Sequence, residues 1–479
     1  MTMETFIKPI GTNDFLPQQM VQRNYVEKII RNTFESYGYS QIQTPLYESF
    51  SLLSAQAGEE IRHKMFTFVG PDRVDYALRP ELTAPVCRII ANGELDEYPY
   101  PYKLYYIGQC VRHEPKTNSE NIRREFRQAG IELIGSDSPL ADAEVITIPF
   151  RILEKLNIDN TQLVIGNTGI LRHLLEKLDL DPKDQSEIIL DIDHLSRVRI
   201  DNSKMDLENL RNELNMLRRS QGIDYQGEYK IDTSIIQELS EINSDEWKRN
   251  LPAIAEQTYI SKWNRYYNIS QEMAQKCINI SKINGDKDFV VANYGKELEG
   301  ISKQSYMELQ TLCNLLEKSG VIDYKIDLGI TRGFDFYTGT VFQIVDADKN
   351  IPICGGGRYD RLIQSFGGPS IPGAGFAFQF DLLVDAFLNT DSNDIKTSKD
   401  YFISSLSDDL LNSVYKTAEF IRNQGKTVEI DLMNRTFEEQ QAYAIKAKFD
   451  YLIRLDADES IIRMDLKTKL IEKITLEEL

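Results

Sequence analysis

Apolar residues at Val21, Tyr25, Ile29, Ile30 and Phe34 recur at helical spacing and stop at Gly38, which predicts a helix over 19–37. Residues 41–45 read as a strand closed by Pro45. Further strands are expected around 65–68, 76–79, 102–106 and 124–134, and helices over 84–92 and 142–156. Strands here do not alternate strictly with helices. Long antiparallel runs flanked by helices point to an α+β domain over 1–388.

Residues 200–300 differ from this pattern. They are rich in Asn, Ser, Glu and Lys, and carry helical periods such as Leu207, Leu210, Leu214 and Leu217. They read as a helical insertion. A polar linker over 389–399 follows the main domain. The remainder, 398–479, alternates: strand 401–404, helix 408–424, strand 427–431, helix 437–448, strand 451–455. Two β-α-β units in so short a stretch imply a small, mainly parallel α/β domain.

Composition narrows the class. A hydrophobic share of 41% and a charged share of 27% belong to an ordinary water-soluble chain. No apolar run approaches the roughly 18 residues that a membrane span needs. The start, Met1-Thr2-Met3-Glu4-Thr5, lacks the form of a signal peptide. Cys87, Cys110, Cys277, Cys313 and Cys354 are scattered, so neither a disulfide framework nor a zinc site is expected, and a reducing cytoplasm fits. The net charge of −19 counts against a broad nucleic-acid surface.

The chemistry concentrates in a few blocks. Thr331-Arg332-Gly333-Phe334-Asp335-Phe336-Tyr337 is followed by Cys354-Gly355-Gly356-Gly357-Arg358-Tyr359-Asp360, and then by Gly375-Phe376-Ala377-Phe378-Gln379-Phe380-Asp381-Leu382. Upstream stand Gly11-Thr12-Asn13-Asp14-Phe15-Leu16-Pro17, Leu78-Arg79-Pro80-Glu81-Leu82-Thr83, Arg112-His113-Glu114 and Arg124-Glu125-Phe126-Arg127-Gln128. In this order the blocks resemble histidyl-tRNA synthetases and their paralogues, which share the class II synthetase fold. The resemblance implies an antiparallel sheet with flanking helices, a helical insertion, and a C-terminal domain like an anticodon-binding domain.

Free histidine offers an ammonium, a carboxylate and an imidazole, so its pocket needs an anion, a cation and polar partners for both ring nitrogens. The resemblance implies that Glu81, Thr83 and Gln128 face the ammonium. It implies that Arg112 and Arg332 face the carboxylate, and that Glu132 and Tyr337 grip the imidazole.

The ATP side departs from the synthetase pattern. Motif 3 should end in Glu-Arg or Asp-Arg, and here it ends Asp381-Leu382. A small glycine becomes Gln379, and a motif 2 arginine becomes Ile122 beside Arg123. Each lost charged hydrogen bond is worth roughly 1.5–3 kcal/mol. Two such losses imply activation slower by a factor of about 10² to 10⁴. In the C-terminal domain, residues 398–479 carry 12 Lys and Arg against 16 Asp and Glu. These departures, with the Gln128–Ile146 stretch, resemble the regulatory subunit of ATP phosphoribosyltransferase. That resemblance implies a regulator that binds histidine and partners the catalytic subunit of that enzyme. It also implies a homodimeric core, with no tRNA, cofactor, metal or catalytic residue of its own. The alternative is a histidine–tRNA ligase with an unusual ATP site. A paralogue that transfers histidine elsewhere stays open.

Overall fold

The computed structural model describes residues 7–55, 59–113, 123–178, 180–201, 244–333, 336–390, 399–404, 410–433, 435–455 and 460–478. Two compact units are present, one built from Met1–Phe15 and Arg23–Asn393, the other from Leu16–Gln22 and Asp394–Leu479.

In the first unit, α1 (Pro17–Ser36), of which residues 23–36 belong here, runs into β1 (Ser40–Gln41). A small sheet follows, made of β2 (Tyr47–Ser49), β3 (Thr67–Val69) and β4 (Asp75–Leu78), with the short helices α2 (Phe50–Ala55) and α3 (Glu59–His63) between its strands. The strand expected over 41–45 is shorter than its sequence suggests. The carbonyls of Thr44 and Pro45 turn away to accept from the Arg79 guanidinium at 2.7 and 2.9 Å. Next come α4 (Thr83–Ala91), β5 (Tyr102–Val111), β6 (Glu125–Ile134), α5 (Pro139–Lys155), β7 (Thr161–Asn167), α6 (Thr168–Glu176) and α7 (Pro182–Asp201). Ser138 caps α5 by accepting from the Leu140 N–H, and Pro139 sits in its first turn.

Leu207, Leu210, Leu214 and Leu217, on which the insertion reading rested, lie outside the described residues. The described chain resumes with α8 (Ser244–Tyr267), α9 (Gln271–Ser281), β8 (Asn284–Gly285), α10 (Lys287–Ile301) and α11 (Lys303–Lys318). Then follow β9 (Tyr324–Asp327), β10 (Thr340–Asp346), β11 (Ile351–Arg358), the short α12 (Leu362–Ser365), β12 (Gly373–Gln379) and α13 (Phe380–Leu388). The large sheet has nine strands in the order β1-β5-β6-β12-β11-β10-β7-β9-β8. Its central pairs are antiparallel, while β1–β5 and β7–β9 are parallel. This is the class II synthetase fold with mixed α+β character that the motifs imply.

Period-2 alternation gives this sheet two unlike faces. On one face Tyr105, Phe342, Phe376 and Phe378 form an aromatic layer, and Phe34 of α1 packs on Tyr105 and Phe376 with ring centroids 5.4 and 6.0 Å apart. On the other, β6 presents Gln128, Gly130 and Glu132, and its neighbours β12 and β11 present Gly373, Gly375, Gly355 and Gly357. Part of this second face is closed by Leu82 and by Val86, Cys87 and Ile90 of α4.

The second unit is a five-stranded sheet, β14-β13-β15-β16-β17, from β13 (Lys399–Ser404), β14 (Val428–Ile430), β15 (Phe449–Leu455), β16 (Ile461–Asp465) and β17 (Ile471–Ile474). The first three are parallel, as the alternating pattern predicts. Adjacent residues bury on opposite faces. Ile403 and Ile453 pack with Val414, Ala418 and Ile421 of α14 (Leu411–Asn423), whereas Phe402 and Leu452 pack with Ala444 of α15 (Phe437–Lys446). A capping box of Thr436 and Glu439 starts α15. The antiparallel β16–β17 hairpin is not apparent in the sequence, because its strands are short and mix charged with apolar residues. Asp465 closes its turn by accepting from the N–H groups of Lys467 and Thr468, both at 2.8 Å.

Asp381 secures the β12–α13 junction. It pairs with Arg23 at 2.7 Å, and its other oxygen accepts the Arg127 N–H at 2.8 Å. The guanidinium groups of Arg23 and Arg127 also lie over the Phe380 ring, at 5.0 and 4.8 Å from its centre. Asp381→Ala strands a buried arginine and is expected to cost about 3–5 kcal/mol, whereas replacing Arg23 and Asp381 together by apolar residues costs much less. Urea unfolding followed by circular dichroism checks both.

Candidate functional site

The glycines of the second sheet face make room for the candidate side chains. A Cβ on Gly375 would stand 2.0 Å from a Glu132 carboxyl oxygen, and one on Gly355 would stand 1.8 Å from the Arg332 guanidinium. At Gly357 it would meet the Tyr337 ring at 2.9 Å. The glycine floor therefore sets how deeply Glu132, Arg332 and Tyr337 sit in the sheet, and any larger residue fills the space they use.

Glu132, on β6, is fully buried. Its carboxyl accepts from the Tyr106 hydroxyl at 3.0 Å, from the Tyr359 hydroxyl in a very short contact, and from the Thr83 hydroxyl. Burial pushes it up to about 8, against the pull of those donors and with the help of neighbouring Glu81. Glu81 lies at the start of α4, where the N–H groups of Thr83 and Ala84 donate to its carboxylate. Burial raises this group as well, while those N–H bonds and the charge of Arg112 oppose the rise. Thr83 hydrogen-bonds both acids. Two acidic groups thus share one buried region, poised for a cationic or N–H-rich ligand.

Arg112 donates from Nε to the Pro80 carbonyl at 2.7 Å and lies 5.1 Å from the centre of the Phe126 ring. Gln128 is buried and accepts from Cys110 Sγ at 3.5 Å. Arg332 has a left-handed backbone, φ +66°. It reaches across Gly355 to the Cys354 carbonyl at 3.4 Å. Its charge draws the Tyr337 phenol down against burial, which still pushes that group up to about 12. The Tyr337 carbonyl is held by Arg172 Nε at 2.8 Å. The structure thus gathers Glu81, Thr83, Arg112, Gln128, Glu132, Arg332 and Tyr337 around one glycine-floored face. Tyr106 and Tyr359, which hold Glu132, are residues that sequence reasoning missed. Only the register Tyr106↔Gly130 and the Tyr359 turn bring them there.

The ATP-side departures are also placed. Gln379 is exposed at the end of β12, Leu382 is half-buried on α13, and Ile122 lies outside the described residues. Arg123 pairs with Asp385 of α13 in a very short contact, and its Nη1 is buried without a hydrogen-bond partner among the described residues. Cations thus remain at 112, 123 and 332 although none stands at 382. Among the described residues, no group of three or more His, Cys, Asp and Glu could hold a metal ion, and no helix is long and apolar enough to cross a membrane.

Residues 11–224 and 227–383 match the profile of the histidyl-tRNA synthetase family. A histidine–tRNA ligase of Methanococcus maripaludis is 35% identical over 445 residues, 92% of this chain and 90% of its own. A histidyl-tRNA synthetase from Nostoc shares the fold with a TM-score of 0.67 at 23% identity, over 99% of this chain and 98% of that one. A Bacillus halodurans protein described as an ATP phosphoribosyltransferase regulatory subunit/histidyl-tRNA synthetase does so with a TM-score of 0.65 at 21% identity, over 94% and 98%. At these identities the two structures speak for the fold alone.

The expectation of a phosphoribosyltransferase regulatory subunit is therefore corrected. Relatives 31–35% identical over nearly the whole chain are histidine–tRNA ligases. The expected catalytic phosphoribosyltransferase partner and the exclusion of tRNA are corrected with it. The physical error was to weigh the departures at 122, 379 and 382 and a domain's net charge above the whole chain. The Asp381 anchor survives the loss of arginine at 382, and net charge does not report local cations. The chain belongs to the histidyl-tRNA synthetase family.

Proposed function

We propose that this chain is an ATP-dependent histidine–tRNA ligase. The observation that carries the reading is the buried Glu132, held by Tyr106 and Tyr359 over the Gly375 floor, in a chain of this family. The histidine ammonium is assigned to Glu81, Thr83 and Gln128, the carboxylate to Arg112 and Arg332, and the imidazole to Glu132 and Tyr337. The Glu132 carboxylate accepts the ring N–H and the Tyr337 hydroxyl donates to the other nitrogen. An amino acid lacking these nitrogens forgoes both hydrogen bonds, at roughly 1–3 kcal/mol each.

The chemistry has two steps. A histidine carboxylate oxygen attacks the α-phosphorus of ATP, the bond to the β-phosphate oxygen breaks, and pyrophosphate leaves. A ribose hydroxyl at the tRNA 3′ end then attacks the histidyl carbonyl and displaces AMP. Arg112 and Arg332 offset the negative charge that develops during the first step. The 1–388 domain, with its insertion near 200–300, performs both steps, and 398–479 serves as the anticodon-binding-like domain. The five free cysteines, all buried, are compatible with a cytoplasmic location.

Purified protein is expected to show histidine-dependent exchange of pyrophosphate into ATP and to attach histidine to tRNA. Histidine binding without either activity would overturn this reading. Glu132→Ala leaves an imidazole nitrogen unpaired and is expected to weaken histidine binding more than tenfold by calorimetry, given roughly 1–3 kcal/mol.

A pH dependence follows from the same carboxyl. Without ligand, Glu132 titrates at about 8, so at pH 7 it is mainly protonated. Accepting the imidazole N–H requires the carboxylate, so binding at pH 7 releases a proton. Affinity is expected to rise between pH 7 and 8.5, and calorimetry in buffers of different ionisation heat counts the protons released. Glu132→Gln should abolish the release.

A further inference from the structure

We infer that Asp193, on α7, is a positioning residue for Arg332 and thereby sets the preference for a ligand that carries a carboxylate. This rests on the reading that Arg332 faces the histidine carboxylate.

The Arg332 side chain hydrogen-bonds Tyr337, and its remaining contacts are few. Its hydrogen bond to the Cys354 carbonyl is long, at 3.4 Å, and its Nε is buried without a hydrogen-bond partner among the described residues. Its backbone is left-handed at φ +66°, and Gly333 follows at φ +67°. A non-glycine residue keeps that conformation only where its surroundings over-determine it. Where the guanidinium starts from is therefore set by what fixes the main chain beside it.

Asp193 holds the main chain before Arg332 and faces the main chain after it. One carboxyl oxygen accepts the Thr331 N–H, immediately before Arg332, at 3.1 Å. The other lies 3.7 Å from where a Cβ on Gly333 would stand. Thr331 is completely buried, and its hydroxyl donates to the Ile189 carbonyl of the same helix at 3.4 Å. The loop is thus seated on α7.

That seat is itself rigid. Asp191, two residues earlier, projects from the helix about 200° away from Asp193, since each residue turns the helix by about 100°. It accepts from Lys262 Nζ at 2.9 and 2.8 Å and from Trp263 Nε1 at 2.8 Å, all buried. Ile188, Ile189, Ile192 and Leu195 bury the rest of the helix face. One aspartate anchors α7 to α8, and the other carries the arginine loop. The pattern Asp191-Ile192-Asp193 therefore links the helices outside the sheet to the site on it.

The test compares histidine with histidinol, which keeps the imidazole and ammonium but replaces the carboxylate by an alcohol. Both are titrated by calorimetry into the full-length wild type and variants. Asp193→Ala is expected to weaken histidine about tenfold and histidinol less than twofold. Asp193→Asn retains an acceptor oxygen for the Thr331 N–H and should hold the histidine-to-histidinol ratio within about twofold of wild type. Where Asp193→Ala does not fold by circular dichroism, Asp193→Ser, whose hydroxyl is too short to reach, should show the same selective loss. Equal weakening of both ligands, or an unchanged ratio in Asp193→Ala or Asp193→Ser, overturns the inference. Wild type that binds neither ligand overturns the functional reading instead, so the two failures are distinguishable.

Discussion

The burial of the Glu132 carboxyl at the centre of a β-sheet constrains everything around it. A carboxyl in that position needs donors and a space without competing side chains. Tyr106 arrives from the neighbouring strand, Tyr359 from the turn after β11, and Thr83 from the start of α4. Gly375 leaves the space, because any side chain there would displace the acid. Several distant segments are thus committed to one buried group.

The same constraint explains the asymmetry of the large sheet. One face is an aromatic layer beneath α1, and the other is stripped to glycine along β11 and β12. The aromatic layer supplies the apolar burial that the glycine face cannot, since polar side chains and backbone occupy that side. Register ties the faces together: a shift of one residue in β12 would place Phe376 against Glu132 and Gly375 in the core. The site is therefore as precise as the strand pairing.

The motif 3 departure shows the limit of reading one position. Leu382 marks the loss of a positive charge, but its neighbour Asp381 keeps the strand-to-helix junction through Arg23 and the Arg127 N–H. The structural role and the phosphate role of that dipeptide separate, and only the first is decided locally. Identity of 31–35% to histidine–tRNA ligases over nearly the whole chain shows the family that one position obscured.

Local pattern made several features legible in advance. The helical period of α1, the antiparallel runs of β5 and β6 and the β-α-β order of the second unit follow from spacing, and the candidate residues from Glu81 to Tyr337 are implied by the family resemblance. Tertiary structure alone decided the rest. Tyr106 and Tyr359 reach Glu132 through register and a turn, contacts that leave no periodic trace. Asp193 meets Thr331 across 138 positions of sequence, and an aspartate inside a helix reads as a solvated charge until the fold buries it. The β16–β17 hairpin escaped because its alternation is short and mixed with charge. Periodicity reports which face of an element is buried; which residues then meet on that face is set by how the elements pair.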